Sequence, residues 1–174
     1  MAFLLTILFI IVFILLLFIV ILFFFFIFDL FLELPYVGTK RKRIETIMSF
    51  AALKKGETAV DLGSGDGRLL ISAAQKGAFA VGYEINPLLV AISSFHAKIK
   101  GLSDHISVNK SSFWKADLKI ADVVFVYAMR KTMPKLEKLV WEKCSKGTRV
   151  VVNTNPFPGK KPQKSKDGIY LYKV

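Results

Sequence analysis

Residues 60–67 bring together the residue types that hold a ligand. They read V-D-L-G-S-G-D-G, an apolar strand that ends in an acid and continues into a loop with glycine at every second position. Such a loop lets the backbone come close to a ligand. A second apolar run, 78–83, is followed by Glu84, whose carboxylate is suited to bind both hydroxyls of a ribose. These features predict a nucleoside pocket at the carboxyl edge of a parallel sheet.

The spacing of the glycines indicates which nucleoside fits the pocket. A dinucleotide fingerprint is G-x-G-x-x-G, whereas this loop has Gly63, Gly65 and Gly67, so its last glycine comes one position early. Asp61 and Asp66 add two carboxylates, which would repel a pyrophosphate and attract a cation. We therefore expect a cationic nucleoside such as S-adenosylmethionine, which carries a sulfonium and an ammonium group. A glycine-rich turn in another kind of α/β protein is the alternative.

The N-terminal segment is apolar enough to cross a membrane. Between Phe3 and Phe28 the only polar residue is Thr6, and none is charged. A helix of this length reaches about 39 Å, compared with a hydrocarbon core of roughly 30 Å. A cleaved signal peptide is the alternative, but the stretch is long and lacks a basic leader. We predict a transmembrane anchor and juxtamembrane segment over 1–34 and one domain over 35–174.

The charged residues all follow the anchor, so the net charge of +12 belongs to the rest of the chain. By the positive-inside rule, the basic run 40–43 predicts a single-pass protein with its domain on the cytoplasmic side. Basic residues near a bilayer are attracted to its anionic headgroups, and solvated surface charge is the alternative for most of the lysines. No nucleic-acid recognition motif appears. With Cys144 as its only cysteine and no metal-binding pattern around its two histidines, the chain is expected to have no metal site.

Strand and helix patterns alternate, which predicts an α/β fold with a doubly wound, mostly parallel Rossmann-like sheet. Helical periodicity begins after Thr39 and stops by Gly56. A second helix opens with Asn86 as N-cap and Pro87 at its first position. The apolar face of that helix comprises Leu88, Ile92, Phe95 and Ile99. Only six strands are visible, and no further helix follows the strand 149–153, so a short C-terminal end is expected.

The order of these motifs resembles the class I, seven-β-strand, S-adenosylmethionine-dependent methyltransferases. The likeness rests on P-Y-V-G-T at 35–39, V-D-L-G-S-G-D-G-R at 60–68 and G-Y-E-I-N-P at 82–87, after a hydrophobic anchor. More narrowly, the chain is similar to the small membrane-anchored protein-lysine methyltransferases whose mitochondrial members modify the ATP synthase c subunit and the adenine nucleotide translocase. This implies S-adenosyl-L-methionine as cofactor, the lipid bilayer as partner and a lysine of a membrane protein as substrate. A lipid or isoprenoid headgroup methyltransferase and a non-catalytic cofactor-binding scaffold are the alternatives.

The resemblance also implies roles for residues of the glycine-rich loop. Asp61, Gly63 and Gly65 would line the methionine moiety, and Glu84 would bind the ribose hydroxyls. Asp66 would reach the amino-acid end of the cofactor, or cap the following helix, or do both.

Two further segments would complete the cofactor site by the same resemblance. Ser112 stands where many family members have an acid that binds the adenine amino group, and Phe113 or Trp114 would cover the ring. A place in the core is the alternative for these two aromatic residues. Tyr36 and Thr39 match a segment that resembles the family's lid over the cofactor, and a plain linker with a helix cap is the alternative.

The catalytic residues are not identified by the sequence. Many amino-group methyltransferases carry an N-P-P-[YF] or D-P-P-[YF] tetrad after strand four, where this chain has Tyr127-Ala128-Met129-Arg130. Tyr127 is a candidate for the methyl-transfer tunnel, and Asn155 with Phe157 for its outer rim. The alternative for the prolines around Asn155 is a turn at the strand exit.

Overall fold

The computed structural model describes residues 2–31, 39 and 41–174, and the chain divides into two compact units, Met1–Tyr36 and Val37–Val174. Helix α1, Ala2–Phe31, belongs to the first unit. Within it, Phe3–Phe24 is long and apolar enough to cross a membrane, and the side chains of this stretch are exposed. A signal sequence would have the same character, so the anchor stays a prediction. The predicted boundary at 34/35 falls outside the described residues.

Seven strands of the second unit form a single sheet. They are β1 Thr58–Leu62, β2 Phe79–Glu84, β3 Ile106–Lys110, β4 Val123–Val126, β5 Arg149–Asn153, β6 Lys164–Lys166 and β7 Ile169–Lys173. Their order is β3-β2-β1-β4-β5-β7-β6, and of these seven strands β7 is the one whose direction is opposite to that of the other six. The mostly parallel Rossmann-like sheet is therefore confirmed. The chain reverses its direction of winding between β1 and β4, and ligands of such sheets bind at the carboxyl ends of the strands there.

The expectation of six strands is wrong, because β6 completes the far edge of the sheet. It reads K-S-K, and all three residues are exposed. A strand that is exposed on both faces carries no alternation of apolar and polar residues, which is the signal used to find strands in a sequence. Residues 154–163, all of them described, contain no helix, in agreement with the expectation.

Helices cover both faces of the sheet. They are α2 Arg41–Ala51, α3 Arg68–Ala74, α4 Pro87–Ile99 and α5 Met133–Lys143, with two short 3₁₀ turns at Phe113–Lys115 and Arg130–Thr132. On one face, α2 and α3 pack into a core with Phe125 and Val151. On the other, Trp141 of α5 contacts the ring of Tyr172 edge-on. The residues that α2 buries are Ile47, Met48, Phe50 and Ala51.

Helix α4 begins as predicted but packs through a different face. The Asn86 side chain accepts a hydrogen bond from the backbone N–H of Leu88 at 3.0 Å, so it is the expected N-cap. The residues that α4 buries are Leu89, Ser93 and Ala97. Two of these are small, which allows α4 to approach the glycine-rich loop closely. The predicted apolar face points away from the sheet, and most of it is exposed.

We predict that this close approach makes Gly67 intolerant of a side chain. Gly67 has φ +80°, and an added Cβ would clash with Ser93 Oγ and lie 2.9 Å from Ser93 Cβ. Gly101 is the matched control, because it has φ +65° but nothing within 4 Å of an added Cβ. Gly101→Ala should lower the free energy of unfolding by about 1 kcal/mol through backbone strain alone, and Gly67→Ala by about 2 kcal/mol. Urea unfolding of both variants tests this, and equal losses would show that the contact with Ser93 is unimportant.

Candidate functional site

The glycine-rich loop opens at the carboxyl ends of β1, β2 and β4. Gly63 N–H and Ser64 N–H both donate to the carbonyl of Tyr83, at 2.9 and 3.1 Å, which fixes the loop to the end of β2. Gly63 has φ +89° and is exposed. On the other side, Tyr127 directly follows β4, which pairs with β1. The loop backbone and Tyr127 therefore face the switch point from two neighbouring strands.

Glu84 holds the loop in place through its carboxylate. Oε2 accepts a hydrogen bond from Gly65 N–H at 2.9 Å, and Oε1 accepts one from Asn86 N–H at 2.8 Å. The side chain is buried. Each carboxylate oxygen can accept more than one hydrogen bond, so acceptor sites remain for ribose hydroxyls. The sequence predicted that Glu84 binds the ribose, but it did not predict that the same carboxylate also holds the glycine-rich loop. An acid at the end of a strand does not show by its position alone that it bonds to the loop backbone.

Asp61 is a second buried acid next to Glu84. It is 5% exposed. Burial, together with the nearby charges of Glu84 and Asp66, raises the pKa of its carboxyl to about 7. A group of acids that already repel one another disfavours an anionic ligand. A cation bound there would relieve the repulsion, which agrees with the preference predicted from the sequence.

Asp66 is held by an arginine two residues along the chain. Arg68 Nη2 lies 2.6 Å from Asp66 Oδ2, and Arg68 Nε lies 2.9 Å from Oδ1. Arg68 also donates from Nη1 to the carbonyl of Thr39 at 2.8 Å, so it connects the loop to the segment before α2. The N-cap position of α3 is Gly67 and not Asp66. The roles of Asp66 and Thr39 toward a cofactor stay predictions, and Tyr36 lies outside the described residues.

The loop after β3 comes to the same edge of the sheet. Ser111 N–H donates to the carbonyl of Glu84 at 3.0 Å, which places the following residues beside the ribose candidate. Ser112 precedes the 3₁₀ turn and is half-buried. The rings of Phe113 and Trp114 contact each other with centroids 4.6 Å apart, and both are half-buried. Their partial exposure leaves an aromatic surface for a ligand and does not fit a place wholly in the core.

Asn155 lies next to the end of β4. Its Nδ2 donates to the carbonyl of Ala128 at 2.8 Å, which ties the loop after β5 to the residue that follows Tyr127. Tyr127 is half-buried. The two candidates for the methyl-transfer tunnel are thus brought together, and their roles stay predictions.

Phe157 is buried in an aromatic cluster, so its predicted place on an outer rim does not fit the structure. The residue is 3% exposed, and its ring lies 5.5 Å from that of Trp141 and 5.0 Å from that of Tyr172. Its backbone N–H donates to the Tyr172 hydroxyl at 3.0 Å. The three rings come from α5, a loop and β7, so sequence spacing could not show that they meet.

Comparison with protein families agrees with this geometry. The profile of one family, described as the ANTKMT methyltransferase domain, matches residues 61–164. The chain belongs to this family. The match begins at Asp61 and includes Glu84 and Ser112, and it confirms the predicted resemblance to class I methyltransferases.

Two of the curated relatives that the chain resembles are longer than the chain itself. The chain is 36% identical over 125 residues to the lysine N-methyltransferase of the ATP synthase c subunit from Xenopus laevis, covering 72% of this chain and 55% of that protein. It is 33% identical over 150 residues to the adenine nucleotide translocase lysine N-methyltransferase of Mus musculus, covering 83% and 65%. The chain thus spans between about half and two thirds of the length of these relatives.

One similar solved structure is matched over nearly the whole of its chain. It is an RNA methyltransferase from Salinibacter ruber in complex with S-adenosyl-L-homocysteine. The TM-score is 0.76 with 31% sequence identity, over 79% of this chain and 94% of that one. This likeness confirms the methyltransferase fold class for the described domain.

Proposed function

We propose that this chain is a membrane-anchored, S-adenosylmethionine-dependent methyltransferase that methylates a lysine of a membrane protein. The observation that carries the proposal is the pair of buried acids, Asp61 and Glu84, at the switch point of a chain that belongs to a methyltransferase family. The names of two relatives, which act on the ATP synthase c subunit and on the adenine nucleotide translocase, support the lysine and the membrane-protein substrate.

The residues at the switch point fit this cofactor. The Asp61 carboxyl suits a cationic methionine moiety, the backbone of Gly63 and Gly65 allows close approach, and Glu84 keeps acceptors for the ribose. Ser112 and the ring of Phe113 follow β3 beside Glu84, where the base would lie. When bound, S-adenosylmethionine supplies a methyl group that already carries its leaving group.

The remaining work of the protein is to align the amine and exclude water. Tyr127 and Asn155 lie at the ends of β4 and β5, where they would border the path of the lysine side chain. A lysine amine attacks only after it has lost its proton, and transfer into an apolar passage lowers its pKa. Alignment of the two reacting groups supplies most of the acceleration, so no general base is required.

The anchor would hold this site near its substrate. In the proposal, the helix Phe3–Phe24 crosses the bilayer once and the basic run 40–43 keeps the domain on the cytoplasmic side. Enzyme and substrate then meet by diffusion in one plane.

The test is transfer of a tritiated methyl group from S-adenosylmethionine to purified membranes by the full chain. We expect label in protein, recovered as methyl-lysine after hydrolysis, and its loss when S-adenosylhomocysteine is added. Calorimetry should show binding of S-adenosylmethionine and not of NAD. Label in the organic phase would show that the substrate is a lipid, and label in added RNA would show that it is an RNA. Cofactor binding with no transfer would identify a scaffold.

A further inference from the structure

The outer surface of α4 carries a row of exposed apolar side chains. Leu88 is 48% exposed, Phe95 62% and Ile99 62%, and Ile92 is half-buried between them. These residues are separated by four, three and four positions, so they lie on one face of the helix. We call this set, Leu88, Ile92, Phe95 and Ile99, the α4 stripe. Ile85, which is 45% exposed, extends it toward the carboxyl end of β2.

The fold does not require this stripe, because α4 already packs through its opposite face. Leu89, Ser93 and Ala97 make that packing face. Single exposed apolar residues are common on protein surfaces, whereas a contiguous set marks a surface that binds something. A row that follows one helix face is such a set.

The charged residues that neighbour the stripe in the sequence are all basic. No Asp or Glu occurs from Ile85 to Ser103, and Lys98 and Lys100 stand at the C-terminal end of α4. An apolar helix face with basic residues beside it and no acids is typical of helices that lie in a membrane interface.

A basic groove continues the stripe toward α2. Ile99 and Lys100 line a groove of about 450 Å³ together with Arg41. Arg68 and Asp66 also line it, but these two neutralise each other through their ion pair. Arg41 lies 3.8 Å from Glu45 in an exposed pair, which leaves its charge largely available to a phosphate. The groove therefore adds charge that complements anionic headgroups.

We propose that the α4 stripe rests on the surface of an anionic bilayer, with Arg41 and Lys100 at the level of the lipid phosphates. Two further features favour a lipid surface. The chain has a candidate membrane span, which would keep the domain near a bilayer, and its net charge of +12 would attract anionic headgroups. A second copy of the chain is a poorer occupant, because it would bring Lys98 and Lys100 of one copy close to the same basic residues of the other.

This placement deepens the proposed function, although it does not depend on catalysis. Asn86, the N-cap of α4, is hydrogen-bonded to Glu84, so the Leu88 end of the stripe adjoins the candidate cofactor site. A domain resting on the stripe would hold that site at the level of the membrane surface. A lysine at the end of a membrane-spanning substrate would then be within reach.

The test places the full chain in vesicles and measures how strongly nitroxide-bearing lipids quench a fluorescent label attached to it. In a Cys144→Ser background, Ala91→Cys places the label on the exposed surface of α4, and Ser165→Cys places it on β6 at the opposite edge of the sheet. We expect severalfold stronger quenching at position 91 than at 165 in vesicles that contain phosphatidylserine. The difference should shrink in pure phosphatidylcholine or at high salt.

Matched double variants separate the stripe from general surface hydrophobicity. Phe95→Ser with Ile99→Asn should reduce quenching at position 91 to the level at 165. Phe79→Ser with Ile120→Asn makes the same exchanges at residues of 48% and 49% exposure and should leave quenching unchanged. Equal quenching at 91 and 165 in the otherwise intact chain would overturn the proposal. So would the absence of quenching at the labelled position together with disulfide formation, on addition of an oxidant, between two unlabelled copies of the Ala91→Cys chain, which would assign the stripe to a second copy. No outcome depends on methyl transfer, so failure of the proposed function is seen separately.

Discussion

Glu84→Ala is expected to weaken the binding of S-adenosylmethionine about 100-fold. The carboxylate would accept hydrogen bonds from two ribose hydroxyls, and at about 1.5 kcal/mol each, the lower end for bonds to a charged group, the two bonds together contribute about 3 kcal/mol. Loss of about 3 kcal/mol corresponds to roughly a 100-fold increase in Kd. Calorimetric titration of the full chain in detergent gives this value directly.

The hydrogen bonds within the protein add a second effect to this variant. Gly65 and Asn86 would lose the acceptor for their backbone N–H groups, so unfolding should become easier by about 1–3 kcal/mol. Glu57→Ala is the matched control, since Glu57 also accepts a backbone N–H, from Lys54 at 2.8 Å, but at the other end of β1. It should lose stability without losing cofactor affinity. A Glu84→Ala protein that is destabilised yet binds normally would place the ribose elsewhere.

The parts of the fold that depend on local signals were predictable. The bounds of β1 follow from an apolar run between two turns, and the start of α4 follows from Asn86 and Pro87. The nucleoside pocket could be placed because the loop Gly63–Gly67 and Glu84 each end a parallel strand, and such ends converge at one edge. These inferences need only the chain direction and the pairing of neighbouring strands.

The parts that depend on tertiary contacts were not predictable. Periodicity showed that α4 has an apolar face, but it could not show that small residues on the opposite side would make the closer packing. Arg43 belongs to the basic run expected to face lipid, yet its Nη2 donates to the carbonyl of Gly168 at 3.3 Å and to Thr154 Oγ1 at 3.4 Å. Phe157 likewise contacts the rings of Trp141 and Tyr172, which belong to other elements. In each case the deciding neighbour is far away in sequence.

The affinity for S-adenosylmethionine is expected to rise with pH, about tenfold per unit, up to pH about 7 and then to level off. Asp61 is protonated below its raised pKa of about 7 in the free protein, whereas a cationic ligand binds best to the carboxylate. Binding at pH 6 must therefore release a proton. Calorimetry in two buffers that differ in ionisation enthalpy measures this release.

The stability of the free protein should change in the opposite direction. Between the ordinary pKa of 3.8 and the raised value of about 7, folded Asp61 holds a proton that the unfolded chain has lost. This stabilising contribution is fully present below 3.8 and disappears as the pH rises through about 7. Asp61→Asn should remove both the pH dependence of affinity and this loss of stability.

Asp122→Asn is the control for these profiles, because Asp122 accepts the backbone N–H of Thr58 at 2.8 Å at the opposite end of β1. It should keep the wild-type slopes. A slope that survives in Asp61→Asn would mean that another group carries the proton.

S-adenosylhomocysteine then separates the two cationic groups of the ligand, since it retains the ammonium and lacks the sulfonium. If its affinity shows the same slope, Asp61 responds to the ammonium; if the slope is absent, Asp61 responds to the sulfonium and discriminates substrate from product.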